Sequence, residues 1–439
     1  AAIVALPASE AGTARIEREV DAYRLQFAAA GAFAGTASLT YTLSNAEGTS
    51  EPATVRIEVI ARSDPTQDPE VIGLIRAQTE AAKRFARMQT GNFNRRLEQL
   101  HDEGSRRQNS MNLNVGVQTG SSNRNAYVEE KLLTERPAAR ALDRSTRKAD
   151  HKKRPAKPRS ENPFGELAIW TSGYVNFGTS EDGGLDLDHT LVGVSGGLDY
   201  RFTPQFIAGI GFGYGRDTTD VGDNGTENRA HAISLAAYGS YRPDPAIFID
   251  GLVGYSFMDF DSRRSVTATG DIASGERDGD QLFGSLSVGY EHRRDGLLLS
   301  PYGRLEASHS TLDAFTETGG GLYSLTYGEQ TIDTLSGALG LRAKYAIAMS
   351  WGVFTPRGRL EYTHDFEGSN GASLGYADIG GLPYALDIGP FSRDFLTVGL
   401  GFDADIGETW TLGFDYRTAF GTDDDSHDHT FGLKLGATF

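Results

Sequence analysis

From residue 166 onward, large apolar residues alternate with small or polar residues in almost every segment of the chain. A period of two is typical of β-strands whose two faces meet different surroundings. The pattern predicts twelve strands, which begin near Glu166, Thr190, Phe206, Ala230, Ile247, Gln281, Leu298, Thr334, Val353, Phe395, Thr409 and His429. The last segment, 430–439, reads TFGLKLGATF, and its apolar face carries Phe431, Leu433, Leu435, Ala437 and Phe439.

The links between these strands alternate strictly in length. Short links at 203–205, 242–246, 293–296, 349–352 and 406–409 take turns with long acidic links such as 180–188, 218–228, 261–280 and 421–428. Up-and-down barrels of the outer membrane have short periplasmic turns and longer outer loops. The predicted fold is an all-β membrane protein, a 12-stranded antiparallel up-and-down transmembrane β-barrel over 166–439.

The two faces of the predicted strands suggest what fills the barrel. Phe206, Ile210 and Phe212 share one face, while the opposite face carries Gly209, Gly211, Gly213 and Gly215. Small inward residues leave space for a helix, which needs about 10 to 12 Å. Acidic residues at inward positions could meet a basic helix: Asp199, Asp250, Glu291, Glu306, Glu361, Asp403, Asp405 and Asp415.

A helix is predicted over 70–101, within a linker-and-helix region at 63–104. The segment is rich in Ala, Leu, Arg, Gln and Glu, with Asp68 as N-cap and Pro69 at the first helical position. Gly104 is the expected stop, and a solvated amphipathic helix or half a coiled coil is the alternative. Candidate pore residues are Arg76, Lys83, Arg84, Arg87, Asn92, Asn94, Arg95 and Arg96. These charges exclude contact with lipid, and we expect Arg84, Arg87, Arg95 and Arg96 to face Asp403, Asp405 and Asp415.

The first 62 residues predict short strands, most clearly a pair at 37–43 and 53–60 joined by a turn-rich stretch. The segment YTLSNAEGTSEPATVRIEV resembles the end of a bacterial immunoglobulin-like repeat, and a generic hairpin is the alternative. Because a full sandwich needs about 100 residues, 1–62 is expected to be part of such a domain. The chain begins without Met or a visible signal peptide, so residue 1 is interpreted as an interior point of a longer protein.

Charge is distributed unevenly along the chain. Residues 71–160 hold 20 Lys/Arg against 9 Asp/Glu, although the net charge of the whole chain is −17. The basic stretch 105–165 includes KADHKKRPAKPRS at 148–160. Because no aromatic residue is interleaved with the charges, we expect a disordered periplasmic linker and no nucleic-acid binding. The chain has no cysteine, which excludes disulfides and thiolate metal sites.

The order of helix, twelve strands and terminal Phe resembles the translocator unit of type Va autotransporters, which belong to the type V secretion systems of Gram-negative bacteria. The residues that carry this resemblance are RAQTEAAKRFARMQTGNFNRRLEQLH at 76–101 and the ending TFGLKLGATF. It implies a monomeric barrel in outer-membrane lipid, with a helix threading its pore and a surface-exposed passenger of its own. It also implies that the terminal strand ending in Phe439 is read by the outer-membrane barrel assembly machinery.

Two features depart from that family. About 60 residues separate the helix from the first predicted strand, where the family has few. Some members cut their own helix at an Asn-Asn pair, but here Phe93 separates Asn92 from Asn94.

Three functions remain open from the sequence: a translocator that anchors its passenger, a porin-like or uptake channel with a helical plug, and an adhesin fragment acting through 1–62. No GxSxG, HExxH or P-loop motif is present, so we expect neither an enzyme nor a cofactor. His427, His429 and Asp423 to Asp425 could form a surface cation site, but a solvated acidic loop is favoured and no metal is expected.

Overall fold

The computed structural model describes residues 1–18, 22–30, 33–60, 62–101, 109–119, 167–182, 185–389, 393–407, 410–421 and 427–437. These residues form two compact units, Ala1–Gln67 and Asp68–Phe439. The boundary falls just before the predicted helix.

The first unit is built from short antiparallel strands: β1 Ala2–Ala5, β2 Gly12–Arg18, β3 Tyr23–Ala29, β4 Gly35–Thr42, β5 Ser44–Asn45, β6 Gly48–Thr49 and β7 Ala53–Val59. The strand pair expected at 37–43 and 53–60 is present as β4 and β7, which are joined in register from Gly35 opposite Val59 to Tyr41 opposite Ala53. Strand β1 adds to the other side of β4. Ala37 and Leu39 are buried, so this small sheet has an apolar face of its own.

The second unit opens with α1, Pro69–Leu100. Asp68 is the N-cap, as expected, and its carboxylate accepts from the backbone NH of Glu70, while Pro69 occupies the first turn. His101 caps the other end, and Gly104 lies outside the described residues. No helix in the described part of the chain combines the length and apolar character needed to cross a membrane.

Around the helix runs an antiparallel barrel of twelve long strands. They are β9 Leu167–Asp182, β10 Leu185–Thr203, β11 Phe206–Val221, β12 Thr226–Asp244, β13 Ile247–Ser265, β14 Ile272–Tyr290, β16 Leu297–Leu312, β19 Gln330–Tyr345, β21 Gly352–Asp365, β24 Asp394–Ile406, β25 Trp410–Gly421 and β26 His427–Ala437. Short extensions, β15 His292–Arg294 and β20 Ile347–Met349, pair beside β16 and β21. The prediction of twelve strands is confirmed.

One strand was not expected from the sequence. Residues Asn109–Thr119 form β8, which pairs antiparallel with β26 and parallel with β9 and so lies between the last and first barrel strands. The expectation of disorder throughout 105–165 is therefore wrong for this segment. Met111, Leu113, Val115 and Val117 alternate there with Asn, Gly and Gln, a period-two pattern that the polar, basic composition of the surrounding chain obscured. The basic run 148–160 lies outside the described residues.

The faces of the strands are as predicted, with apolar residues outward. Ile210, Phe212 and Tyr214 are exposed on the outer surface of β11, whereas Gly211, Gly213 and Gly215 are buried on its inner face. The same holds for β25, where Trp410, Leu412 and Phe420 are exposed outward. An apolar outer band with a polar interior is what lipid requires of a barrel.

Several links expected to be long loops are instead extensions of the strands. β11 and β12 continue to Val221 and from Thr226, so the 218–228 segment is mostly paired strand. Similarly, β13 and β14 pair as far as Ser265 opposite Ile272. These strands have 16 to 19 residues, whereas about 9 to 11 cross a bilayer, so they project well beyond it on the side of the long links. The acidic residues of these segments were interpreted as loop residues, but in the structure they occupy solvated positions of the strands.

Two long links in the second half of the barrel build a separate small sheet. Its strands are β17 Phe315–Thr316, β18 Leu325–Tyr327, β22 Asn370–Tyr376 and β23 Tyr384–Ile388, in the order β17-β18-β22-β23. We call it the cap sheet. A short 3-10 turn, Gly321–Tyr323, joins β17 to β18, and another, Pro65–Gln67, precedes α1.

Candidate functional site

Helix α1 packs inside the barrel against the wall formed by β9 to β14. Phe93 is fully buried and meets Trp170 edge-on with ring centroids 5.4 Å apart, and Tyr238 at 5.6 Å. Phe85 lies in a second apolar cluster with Tyr174 and Met258. Aromatic burial of this kind is the largest apolar contribution to docking of the helix.

Glycines on the inner face of β11 let the helix approach the wall closely. A Cβ at Gly211 would lie 2.3 Å from the Phe93 ring, and one at Gly213 would lie 2.4 Å from the Gln89 amide. A Cβ at Gly215 would lie 2.9 Å from Phe85. The glycines therefore form a groove for three side chains of α1, which is the physical reason for the small inward residues in the sequence.

Two arginines of α1 form buried bidentate ion pairs with this wall. Arg84 Nε and Nη2 each lie 2.8 Å from the carboxylate of Asp217, and Nη2 also donates to Thr219. Arg96 Nε and Nη2 donate to Asp199 at 2.7 and 3.0 Å. The expectation that Arg84 and Arg96 face Asp403, Asp405 and Asp415 is therefore wrong, because the helix packs against the opposite wall.

The other predicted lumen acids fall into two groups. Glu306 accepts from Asn94 at 2.9 Å, and Asp250 and Glu291 contact His101. The remaining four interact with the wall itself. Glu361 pairs with Arg304, Asp403 with Arg357, Asp415 with Arg417, and Asp405 accepts from Thr411.

The remaining predicted helix residues take different positions. Arg76 donates to the carbonyl of Gly389, Lys83 pairs with Glu80, and Arg87 is exposed within the described residues. Arg95 donates to Asn92 at 3.0 Å. Asn92 also donates to Ser195 at 2.8 Å, so both predicted asparagines are fixed by hydrogen bonds to the wall.

The N-terminal end of α1 is held at the end of the barrel with the long links. Glu70 accepts from Asn224 at 2.7 Å and from Thr226, and the N-cap Asp68 accepts from Thr267 at 2.9 Å. Val71, Leu74 and Ile75 pack against Phe315, Leu325, Tyr327, Leu374, Tyr376 and Ile388 of the cap sheet. The cap sheet thus packs against the first turns of the helix where it enters the barrel.

The C-terminal end of α1 is held at the end with the short turns. The buried His101 lies 3.0 Å from Asp250 through Nε2 and 3.2 Å from Glu291 through Nδ1. Arg242 and Arg293 pair with the same Glu291 at 2.9 and 2.8 Å. Burial lowers the pKa of His101, but Asp250 and Glu291 raise it more strongly, so the pKa lies above the ordinary 6.5. The two carboxylates thus stabilise the imidazolium form of His101.

We expect this end of the helix to loosen as pH rises. A group with a raised folded-state pKa stabilises fully below its unfolded pKa, and the effect is lost as pH rises through the folded value. The window therefore begins above pH 6.5. Between pH 6 and 9, residual conductance in planar bilayers should rise for the wild-type chain and stay flat for His101→Gln. Equal pH dependence in both would show that His101 is not the group whose titration changes the conductance.

The sequence did not predict two residues that join the helix to the wall, Asp217 on β11 and Glu98 on α1. Asp217 lies on the same strand as Gly209 to Gly215 and two residues beyond Gly215, so it points inward like those glycines. Extending the alternation by one step would have predicted it. Glu98 is an acidic residue of the helix that was predicted to be basic. Its carboxylate lies 3.1 Å from Arg342 and 2.6 Å from Arg359 of the wall. No local signal marks that pairing, since it depends on the rotation of the helix in the lumen.

The predicted assembly signal is described only in part. Phe431 is exposed on the outer face of β26. Leu433, Leu435 and Ala437 lie in the same strand, paired with β25 and β8. Phe439 lies outside the described residues, as do Asp423 to Asp425 of the suggested cation site; His429 hydrogen bonds with Tyr416.

The geometry is that of a membrane barrel with a preceding helix packed in its lumen. The family model described as "Autotransporter beta-domain" matches residues 169–417. The chain therefore belongs to the autotransporter family, and its barrel is an outer-membrane translocator for passenger export.

Two curated relatives are similar to part of the chain. Esterase EstA of Pseudomonas aeruginosa and Esterase EstA of Pseudomonas putida are each 23% identical over 266 residues, 58% of this chain and 40% of the relative. The chain thus spans about 40% of the length of the curated relatives it matches.

Solved structures that are similar to the chain include two autotransporter domains. The translocator domain of autotransporter NalP from Neisseria meningitidis is 22% identical, with a TM-score of 0.50, covering 62% of this chain and 87% of that one. The β-domain of the Bordetella autotransporter BrkA is 17% identical, with a TM-score of 0.45, covering 62% of this chain and 100% of that one. At these identities the likeness to NalP supports the fold alone.

Proposed function

We propose that this chain exports its own N-terminal passenger through the outer membrane and then keeps it at the cell surface, with α1 as the tether in the lumen. The observation that carries the proposal is the direction of α1. Its N-terminus meets Asn224, Thr226 and Thr267 at the long-link end, and its C-terminus meets Arg242 and Glu291 at the short-turn end. Since short turns are periplasmic, chain preceding α1 leaves on the outer side.

The passenger includes residues 1–62 in this proposal, as part of an immunoglobulin-like, adhesin-type segment. The sheet of β1, β4 and β7 supports a β-rich passenger. We further propose that the barrel itself is not an enzyme, since α1 packs in its lumen through structural contacts with the wall. EstA is named an esterase, but the matched 266 residues are 40% of that protein, so no esterase activity is assigned to this barrel.

A surface-display experiment tests the proposal. An epitope placed before Ala1 should be cleaved by protease added to intact cells expressing the full chain. Deletion of 69–101 should leave a heat-modifiable barrel in the outer membrane with no accessible epitope. Display without the helix would contradict the tether. A wide-open conductance of the intact chain would favour the porin-like channel instead.

The barrel assembly machinery is proposed to read the terminal strand. The support is the unbroken alternation of Phe431, Leu433, Leu435 and Ala437 up to Phe439. Deleting Phe439 should lower outer-membrane assembly several-fold while synthesis is unchanged, measured as heat-modifiable protein in outer-membrane fractions. Substituting Thr438→Ala, one residue earlier, is the control and should assemble normally. Normal assembly without Phe439 would remove the terminal residue from the signal.

A further inference from the structure

Among the described residues, helix α1 does not fill one side of the lumen near its C-terminal end. The side opposite Phe85, Phe93 and Arg96 carries half-buried or exposed residues at helical spacing, namely Glu80, Lys83, Arg87, Gly91, Arg95 and Glu98. Of these residues, Arg95 and Glu98 face strands β19, β21, β24 and β25 in the second half of the barrel. The lumen therefore has an apolar, glycine-lined side and a charged side.

Near the periplasmic end, the charged side opens into a cavity of about 100 Å³ between α1 and strands β19, β21, β24 and β25. One water needs about 10 to 15 Å³ of such volume, so the cavity can hold a small ion with part of its hydration shell. We call it the basic cavity, because six cations line it: Arg95, Arg342, Lys344, Arg357, Arg359 and Arg417. Three acids also line it: Glu98, Asp403 and Asp415.

Each acid lies within ion-pair distance of a wall arginine. Glu98 receives Arg342 and Arg359, Asp403 lies 3.2 Å from Arg357, and Asp415 lies 3.3 Å from Arg417. That leaves an excess of positive charge. Arg95 contributes to this excess, and its Nε and Nη1 are buried and have no hydrogen-bond partner among the described residues. A buried guanidinium left partly unsatisfied is costly, and an anion beside it would relieve that cost.

We propose that the basic cavity binds a small oxyanion, with inorganic phosphate as the representative ligand, held between Arg95 of the helix and the arginines of the wall. Guanidinium groups donate parallel N–H bonds that match the oxygens of phosphate. Positive charge confined by a low-dielectric wall concentrates anions. Lipid phosphates are separated from this site by the barrel wall, so the ligand is a free ion.

The experiment is calorimetric titration of inorganic phosphate into the detergent-solubilised full chain at constant ionic strength. We expect saturable binding with a Kd of about 1 mM or lower, as for a few charge-assisted hydrogen bonds. Arg95→Gln should raise the Kd about tenfold. Arg417→Gln changes the wall instead of the helix and should act likewise, even if Arg95→Gln disturbs seating of the helix. Arg229→Gln removes one exposed arginine far from the cavity and is the charge-matched control.

The outcomes separate clearly. A tenfold loss in Arg417→Gln with an unchanged Arg229→Gln supports the basic cavity as the site. Absence of saturable phosphate binding to the wild-type chain would overturn the proposal. Equal Kd values for wild type, Arg95→Gln and Arg417→Gln would also overturn it. None of these results bears on passenger display, so failure here and failure of the export proposal are distinguishable.

Discussion

Replacing Arg84 and Arg96 together by glutamine is expected to release α1 from the lumen and raise single-channel conductance strongly, while the barrel still assembles. Each arginine is bidentate to a carboxylate that is almost completely buried: Asp217 for Arg84 and Asp199 for Arg96. Removing one partner from a buried pair typically costs about 3 to 5 kcal/mol. At tenfold per 1.4 kcal/mol, each substitution shifts the seated-to-released ratio of the helix at least about a hundredfold.

The rise in conductance should come from the unpaired carboxylates of Asp217 and Asp199 and not from the loss of positive charge on the helix. Arg87→Gln removes positive charge from the same helix, but Arg87 is exposed. We expect that control to keep a low conductance. Planar-bilayer recordings give the conductance, and the shift between unheated and heated samples in SDS reports whether the barrel has closed. Low conductance in Arg84→Gln/Arg96→Gln, with the barrel intact, would show that contacts other than these two ion pairs are enough to retain the helix.

The elements of this fold that alternate strictly were predictable from the sequence, because lipid and lumen impose opposite chemistry on adjacent residues. Phe206 to Gly215 shows this: its parity alone places the aromatics outside and the glycines inside. Asp217 follows from the same parity. The helix was equally predictable from Asp68, Pro69 and a proline-free, Ala- and Arg-rich stretch.

The contacts that were not predictable depend on geometry absent from any local pattern. Which wall the helix packs against is set by the glycine groove of β11 and by the bulk of Trp170 and Tyr238, and that choice decided the partners of Arg84 and Arg96. Strand β8 pairs with residues more than 300 positions away, at β26. The cap sheet likewise joins two links, 315–327 and 370–388, that carry no hint of each other in sequence.

Filling the glycine groove should also unseat the helix, by steric exclusion instead of lost charge. Gly211→Val and Gly213→Val together place Cβ atoms 2.3 Å from Phe93 and 2.4 Å from Gln89, closer than real contacts allow. Valine suits a strand, so pairing of β11 with its neighbours should persist. Overpacking typically costs about 1 to 3 kcal/mol at one site, and here it destabilises docking of the helix.

The matched control for that pair is Gly358→Val, since a Cβ at Gly358 has nothing within 4 Å. Gly358 lies on β21, beside the basic cavity. The groove variant should show high conductance and protease-sensitive residues in 76–101, whereas Gly358→Val should match the wild-type chain in both. A groove variant that stays closed and protected would mean that Phe93 and Gln89 do not lie against β11. If the groove variant shows no heat-modifiable migration while Gly358→Val does, Gly211 and Gly213 are needed for closure of the barrel and not for docking of the helix. Gly358→Val makes the same substitution at a position where no helix side chain is displaced.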